Sequence, residues 1–586
     1  MLFLLLIPVF AATEQQDKEQ DSDDIVRIRI VGMADLHGNF QLYDFIRRRP
    51  AVGGLLYVQQ FVAQERLDTT QHVILVNNGD FLQGQMATYY YNYLDQRDFY
   101  MPAHRFNRAG VDVHVIGNHD MEMGIGLLER FMRESNAPLL GANVVFSGTT
   151  EPFFQPYVIL ERGGIRIAFL GITIPIQSEC ITVEICKGLA VVNMLDPTRY
   201  WMNRILTRES PDLVIGVFHA GIPHGVDSLQ YGKSCFYENN TIHIAENIPG
   251  FDALILGHLH RTLIKRIVNV NGDSVWLVEP GMGGRDVGVL DFEVQKRPGE
   301  KAKIISSSVH IQNVTQFPLS DEMMEEVEEE CELFAIIAGD PVATLLDTMC
   351  NVKAYFGPSF FVDIIHRVQL EHTGADISFA SPLSTNVLIP SGPLIFSDLF
   401  RVYRFENMMT VLRMSGQEIK DYLEFSYNKW VNQMRSPRDR MLRTKPVPTG
   451  STAFLGRNFI IPQYYFDSAA GIDYEVDLRR PFGERIRILR MSNGEPFHEN
   501  RMYSVVTTSY RVAGAGGHFQ AGAGITPQVL PYRIVSVENI MIRELIRKDF
   551  ANQGEVSSFS FNNWRFIPES FVRQAKMREY DELKAR

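Results

Sequence analysis

Val111-Asp112-Val113-His114-Val115-Ile116-Gly117-Asn118-His119-Asp120 is a β-branched run that stops abruptly on a glycine and three polar side chains. β-Branched residues pack well on a pleated surface and a Gly-Asn-His-Asp tetrad does not, so the pattern predicts a buried strand ending in a polar loop. The pattern recurs from residue 26 to about 312. Apolar runs at 25–31, 72–76, 165–172, 212–218 and 253–256 each give way to Gly, Asn, Asp or His, with helical stretches such as 52–64 and 126–133 between runs. Strands alternating with helices predict a layered α/β domain whose active residues stand in loops at strand ends.

At 586 residues, 45% hydrophobic and 22% charged, the chain has material for several cores. A formal net charge of −12 argues against a nucleic-acid polymer as partner, because binding a phosphate backbone needs a basic face. A small anionic substrate stays compatible with that balance if cations gather at one site. Residues 1–12 form an apolar run too short to cross a bilayer that ends in small residues. They read as a signal peptide, although no Lys or Arg precedes them, and the acidic stretch 14–24 reads as an exposed leader. A periplasmic or secreted protein is expected. No later segment reads as a membrane span, and the charged residues 573–586 do not resemble a lipid-anchor signal. Cys180, Cys186, Cys235, Cys331 and Cys350 include no C-x-x-C pair, and a Cys180–Cys186 disulfide would suit an oxidising compartment as readily as free thiols would suit a buried one.

Past residue 315 the composition turns acidic, and 316–339 reads as a largely solvated linker helix, with a peripheral helix of the first domain as the alternative. A second α/β region follows at 340–552, with a helix at 416–424 and a glycine-rich segment at 514–524; 553–586 reads as a tail.

Five motifs end strands of the first region. In an extended segment residues two apart point the same way, so Asp35 and His37 can grip one ion. The carboxylate of Asp80, after Asn78-Gly79, can bridge two cations. The amide oxygen of Asn118 suits a hard cation, and His119 beside acidic groups suits an acid or charge stabiliser. His219 and the alternate pair His258 and His260 complete the series. Each alone is an ordinary loop or structural residue; together, in one domain, they supply the ligands that two metal ions require.

In this order Asp35-x-His37, Gly79-Asp80, Gly117-Asn118-His119-Asp120, His219 and Gly257-His258-x-His260 resemble the calcineurin-like metallophosphoesterases. The second region resembles the C-terminal domain of bacterial 5'-nucleotidases at Asp376-Ile377-Ser378-Phe379, Phe405-Glu406-Asn407, Ser415-Gly416-Gln417-Glu418-Ile419 and Thr508-Ser509-Tyr510-Arg511. The resemblance implies a four-layer αββα sandwich at 26–315, joined by a helix to a second α/β domain. It implies two divalent ions (Zn, Mn, Fe or Co), one held by Asp35, His37, Asp80 and His260, the other by Asp80, Asn118, His219 and His258. It further implies metal-activated hydroxide attack on a small nucleotide substrate, in nucleotide catabolism. His119 matches the histidine that contacts the phosphoryl group, and either Glu122 or Asp120 can be its acidic partner. The base would stack on Tyr510 and on Tyr464, with Asn407 nearby.

Strict 5'-nucleotidases carry a Gly- and Arg-containing stretch where this chain has Ala380-Ser381-Pro382-Leu383-Ser384-Thr385-Asn386, without arginine. That stretch, with Tyr465 to Tyr474, is more similar to the 2',3'-cyclic-nucleotide 2'-phosphodiesterase/3'-nucleotidase branch. The alternatives are a nucleotide-sugar or other phosphomonoester hydrolase, or an inactive nucleotide-binding protein.

Overall fold

The computed structural model describes residues 25–175, 188–223, 239–297, 302–384, 387–446 and 457–583. The apolar run at 1–12, Cys180, Cys186, Cys235, Thr385 and Asn386 lie outside the described residues. Among the described residues, Cys331 and Cys350 form no disulfide. The described residues form two compact units, one comprising those in 25–42, 50–175 and 189–328, the other 43–49 and those from 329 onward. The division falls inside the acidic helix, which runs Asp321–Gly339.

The strands of the first unit that build its two large sheets are β1 (Ile25–Ala34), β2 (Gln71–Asn78), β3 (Val113–Val115), β4 (Leu139–Leu140), β5 (Tyr157–Arg162), β6 (Ile165–Thr173), β7 (Leu213–His219), β8 (Ala253–Leu256), β9 (Thr262–Val268), β10 (Ser274–Pro280), β11 (Asp286–Gln295) and β12 (Lys303–Asn313). One sheet has the order β12-β11-β1-β2-β3-β4 and the other β9-β10-β8-β7-β6-β5.

Alternation along β6 shows how the layers form. Ile165, Ile167 and Phe169 point into a core shared with Ile28, Ile30, Ile74 and Val76 of the facing sheet, whereas Ala168, Leu170 and Ile172 pack against Met194, Met202 and Ile244 on the helical side. Helices Met101–Ala109 and Ile125–Glu134 cover the other sheet, where Phe106 and Phe131 close on His114 of β3. The layers are therefore helix, sheet, sheet, helix. Within each sheet the central strands are parallel, with Ala34 beside Asn78, Asn78 beside Val115, and Phe218 beside Leu256. Their carboxyl ends are thus level. The Asn78 amide donates to the carbonyls of Phe218 (2.9 Å) and Ile255 (3.2 Å), which ties the two edges together.

The second unit is built on a five-stranded sheet in the order Ser468–Ala470, Ile377–Ala380, Met502–Thr508, Met408–Ser415, Ile534–Met541. Ile419, Tyr422 and Trp430 of helix Gly416–Trp430 pack on one face, and Phe361, Ile364 and Ile365 of helix Phe360–Thr373 on the other. Helix Gly416–Trp430 starts where a capping box places it: Ser415 Oγ accepts from Glu418 N (3.2 Å), and Glu418 Oε2 accepts from Ser415 N (2.7 Å). The segment from 553 onward is not a loose tail. Glu555–Val556 pairs with Pro341–Leu345, Trp564–Ile567 pairs with Ile472–Asp477, and the Glu579 carboxylate of the last helix accepts from Met441 N and Leu442 N. Strands of two and four residues are too short to show a period of two.

Phe169→Ala should destabilise the first unit by about 3–5 kcal/mol through lost burial and a cavity, and Ser415→Ala the second by about 1 kcal/mol through the lost cap. Urea unfolding of each variant checks the contrast. Equal, negligible shifts would contradict this packing.

Candidate metal centre

Asp35 follows β1, Asp80 follows β2, and His260 follows β8. With His37 they form a group whose ligand atoms all lie within 4.8 Å of one another. His260 Nε2 is 3.4 Å from Asp35 Oδ1 and 3.0 Å from His37 Nε2. The extended geometry expected of Asp35-x-His37 and His258-x-His260 does not occur. Asp35 (φ 51°), His37 (47°), Asp80 (54°), His258 (73°) and His260 (59°) are all left-handed; the remaining non-glycine residues with positive φ among those described are Arg48, Ser210 and Asn562. β1 ends at Ala34, and Asp35 N then donates to Gly79 O (3.1 Å) and His37 N to Asp80 O (2.8 Å), so the loop must coil against its neighbour. Left-handed backbone costs about 1–3 kcal/mol per residue and persists only where surrounding contacts hold it. Asp and His tolerate it better than β-branched residues do.

A second group lies against the first. His219 Nδ1 donates to Asn78 O (2.8 Å), which leaves a lone pair on Nε2, and that atom is 3.2 Å from Asp80 Oδ2 and 4.0 Å from Asp35 Oδ1. Asp80 Oδ2, Asn118 Oδ1 and His219 Nε2 are buried without a hydrogen-bond partner. A nitrogen lone pair and a carboxylate oxygen at that distance repel unless a cation lies between them. A proton is the smallest such cation: burial depresses His219, but the Asp80 charge outweighs it and lifts the imidazole to about 9. His258 joins from β8, its N–H donating to both Asp35 oxygens (3.1 and 3.0 Å) and its ring centroid 5.7 Å from that of His219. Burial holds His37 at about 4 and His258 at about 3, so both are neutral imidazoles with a lone pair to give. Neutral imidazoles, carboxylates and an amide oxygen are the donor set of a divalent transition metal, and the orphaned buried atoms fit one.

His119 N donates to Asp80 Oδ1 (2.9 Å), and its Nδ1 is 3.0 Å from Glu122 Oε2. Burial depresses this imidazole, yet the Glu122 and Asp80 carboxylates lift it to about 10, so it carries charge. Asp120 does something else. Its two oxygens accept from the N–H groups of Asp80, Phe81, Leu82 and Gly117 at 2.8–2.9 Å, pinning the Asp80 loop to the Asn118 loop. A carboxylate with four backbone donors has nothing to spare for His119, so between the two acidic candidates the geometry pairs His119 with Glu122. The pinned loops leave no room at Gly117, where a Cβ would lie 2.2 Å from Asp80 Oδ1.

Two buried supports carried no signal in the sequence beyond being polar: Gln83, whose Oε1 is 3.3 Å from His37 Nδ1, and Glu279, which accepts from Arg261 N (3.2 Å) just after His260.

In the second unit, Arg511 donates to both Asp467 oxygens (2.9 and 2.7 Å) and to Tyr464 O (2.7 Å), which fastens the segment carrying Tyr464 to the one carrying Tyr510. Tyr465 touches both: its ring is 4.6 Å from that of Tyr464 and its hydroxyl 3.4 Å from that of Tyr510. Tyr464, Tyr465 and Tyr510 are partly exposed. Asn407 is buried, and its Nδ2 donates to the Tyr403 hydroxyl (3.2 Å).

Both units match known protein families. The family profile of the calcineurin-like phosphoesterases matches residues 28–262, and that of the 5'-nucleotidase C-terminal domain matches 341–523. The 2',3'-cyclic-nucleotide 2'-phosphodiesterase/3'-nucleotidase of Yersinia enterocolitica is 23% identical over 92% of this chain and 88% of its own. The trifunctional nucleotide phosphoesterase of Bacillus subtilis is 23% identical over 97% of this chain, which spans only 41% of that protein. Among solved structures, the 5'-nucleotidase precursor of Thermus thermophilus shares the fold with a TM-score of 0.59 at 17% identity, covering 93% of this chain and 100% of that one. No described helix is long and apolar enough to cross a membrane. The chain carries a calcineurin-like phosphoesterase domain followed by a 5'-nucleotidase C-terminal domain.

Proposed function

We propose that the chain is a two-metal nucleotide phosphoesterase, acting as a 2',3'-cyclic-nucleotide 2'-phosphodiesterase/3'-nucleotidase. The observation that carries the reading is the set of buried, unpartnered atoms Asp80 Oδ2, Asn118 Oδ1 and His219 Nε2 beside the Asp35, His37, Asp80 and His260 group. Asp35, His37, Asp80 and His260 would hold one ion, and Asp80, Asn118, His219 and His258 the other. Bound there, divalent ions supply Lewis acidity and a lowered water pKa. The chain's own residues do the rest. Asp120 keeps the Asp80 and Asn118 loops in register. His119, with Nδ1 committed to Glu122, presents Nε2 and its proton to the phosphoryl group or the departing oxygen, where positive charge stabilises what develops. Tyr464, Tyr465 and Tyr510 provide the rings on which a nucleobase stacks, at about 1–3 kcal/mol per base. The missing arginine in 380–386 and the names of the Yersinia, Salmonella and Haemophilus relatives favour cyclic and 3' substrates over 5' ones. The apolar run at 1–12 supports export.

The test is phosphate release from 5'-AMP, 3'-AMP, 2',3'-cyclic AMP and an aryl phosphodiester, with divalent ions varied. Chelator should abolish turnover and divalent ions restore it, with the cyclic and 3' substrates ahead of 5'-AMP. Folded, metal-loaded protein inert towards every nucleotide sinks the proposal. His119→Ala should lower kcat by about 10²–10⁴ while metal content holds; unchanged kcat would remove His119 from the mechanism. Gly117→Ala should cost bound metal as well as activity, read by elemental analysis of the purified protein, and full metal loading would show that the loop yields. Tyr510→Ala should raise KM for nucleotides and spare a small aryl phosphate. Equal loss on both would favour a substrate without a base.

A further inference from the structure

Gln83 lies three residues past Asp80 and is 3% exposed. Its Oε1 faces His37 Nδ1 at 3.3 Å, while the other ring nitrogen, Nε2, faces His260 Nε2 at 3.0 Å and Asp80 Oδ2 at 4.0 Å. A neutral imidazole has one proton for two nitrogens, and an amide oxygen only accepts. The proton therefore belongs on Nδ1, and the lone pair is left on Nε2, the atom aimed at the cluster. His219 is oriented in the same way by a main-chain carbonyl, Asn78 O at 2.8 Å, which substitution of a side chain does not remove. His37 is oriented by a side chain, which it does.

The amide is also held in place. The N–H groups of the three residues before it, Asp80, Phe81 and Leu82, all donate to Asp120. On its other side Gly84 has φ 129°, and a Cβ there would lie 2.7 Å from His37 O, so the chain passes as close to His37 as backbone allows. The loop that presents the shared carboxylate is thus the same loop that sets the orientation of a neighbouring imidazole.

We propose that Gln83 is the positioning residue of the Asp35, His37 and His260 metal position: its side-chain oxygen fixes the tautomer and ring plane of His37, and its loss weakens that position alone. The proposal rests on the metal reading above. Partners of this kind typically contribute 10–100-fold in metal affinity. Asn118, His219 and His258 do not depend on Gln83, so the other position serves as an internal control.

The experiment is zinc titration of the metal-stripped full chain by calorimetry, with elemental analysis after gel filtration, for wild type, Gln83→Leu and Gln83→Glu. Wild type should take up two equivalents. Gln83→Leu, similar in size but without an acceptor, should bind one of them about 10–100-fold more weakly and the other unchanged. Gln83→Glu keeps an acceptor and should retain both, the affected one at wild-type affinity or tighter. Wild-type affinity for both equivalents in Gln83→Leu overturns the proposal and leaves the metal reading standing. Equal weakening of both, or failure of Gln83→Glu to hold what Gln83→Leu loses, reduces the residue to generic loop support and also overturns it. Wild-type protein that takes up no zinc fails the metal reading itself.

Discussion

Carboxylate, imidazole and amide groups buried close together, each pair needing a cation or a proton between its atoms, are the constraint around which the first unit is organised. His219 Nε2 stands 3.2 Å from Asp80 Oδ2, and His37 Nε2 3.0 Å from His260 Nε2, so each pair needs a proton or a metal ion between its two atoms. The loops that carry these groups have little room to move. None is free. Asp120 fastens two loops with four backbone hydrogen bonds, Asp35 accepts from His258 N, and Asn78 joins the edges of both sheets. The left-handed backbone at Asp35, His37, Asp80, His258 and His260 is the visible record of that confinement.

The scaffold explains how such strain survives. Parallel strands buried on both faces are stiff, and their register levels the ends from which the ligand loops depart. The sheet interfaces supply the stability, and the strand ends spend part of it holding donors together. Ligands at the carboxyl edge of parallel strands are the common solution in α/β folds, because there the chain leaves a rigid element and side chains can converge.

Much of this was legible beforehand. Strands expected at 25–31, 72–76 and 253–256 form as Ile25–Ala34, Gln71–Asn78 and Ala253–Leu256: the last two write short continuous apolar runs, as buried parallel strands do, and the first is β-branched with Arg27 and Arg29 alternating between Ile28 and Ile30. The polar residues that end those runs could be named as a group. What could not be read was how they converge. Asp35 and His37 meet through a left-handed turn and not through strand alternation, because hydrogen bonds from a loop distant in sequence dictate their backbone. Asp120 and Glu122 look interchangeable in the sequence, and only the four N–H groups around Asp120 separate a structural carboxylate from one that serves His119. Gln83 and the short strands near the C-terminus left no periodic signal, since each takes its meaning from a tertiary partner.

The central claim is that two ions share Asp80. Diffraction from crystals of the metal-loaded protein, recorded at the absorption edge of the added metal, measures this most directly. Two anomalous peaks are expected, one among Asp35, His37 and His260 and the other among Asn118, His219 and His258, with an Asp80 oxygen reaching both. A metal-loaded crystal with no peak at this edge of the sheets, or with the metal bound elsewhere, would contradict the account.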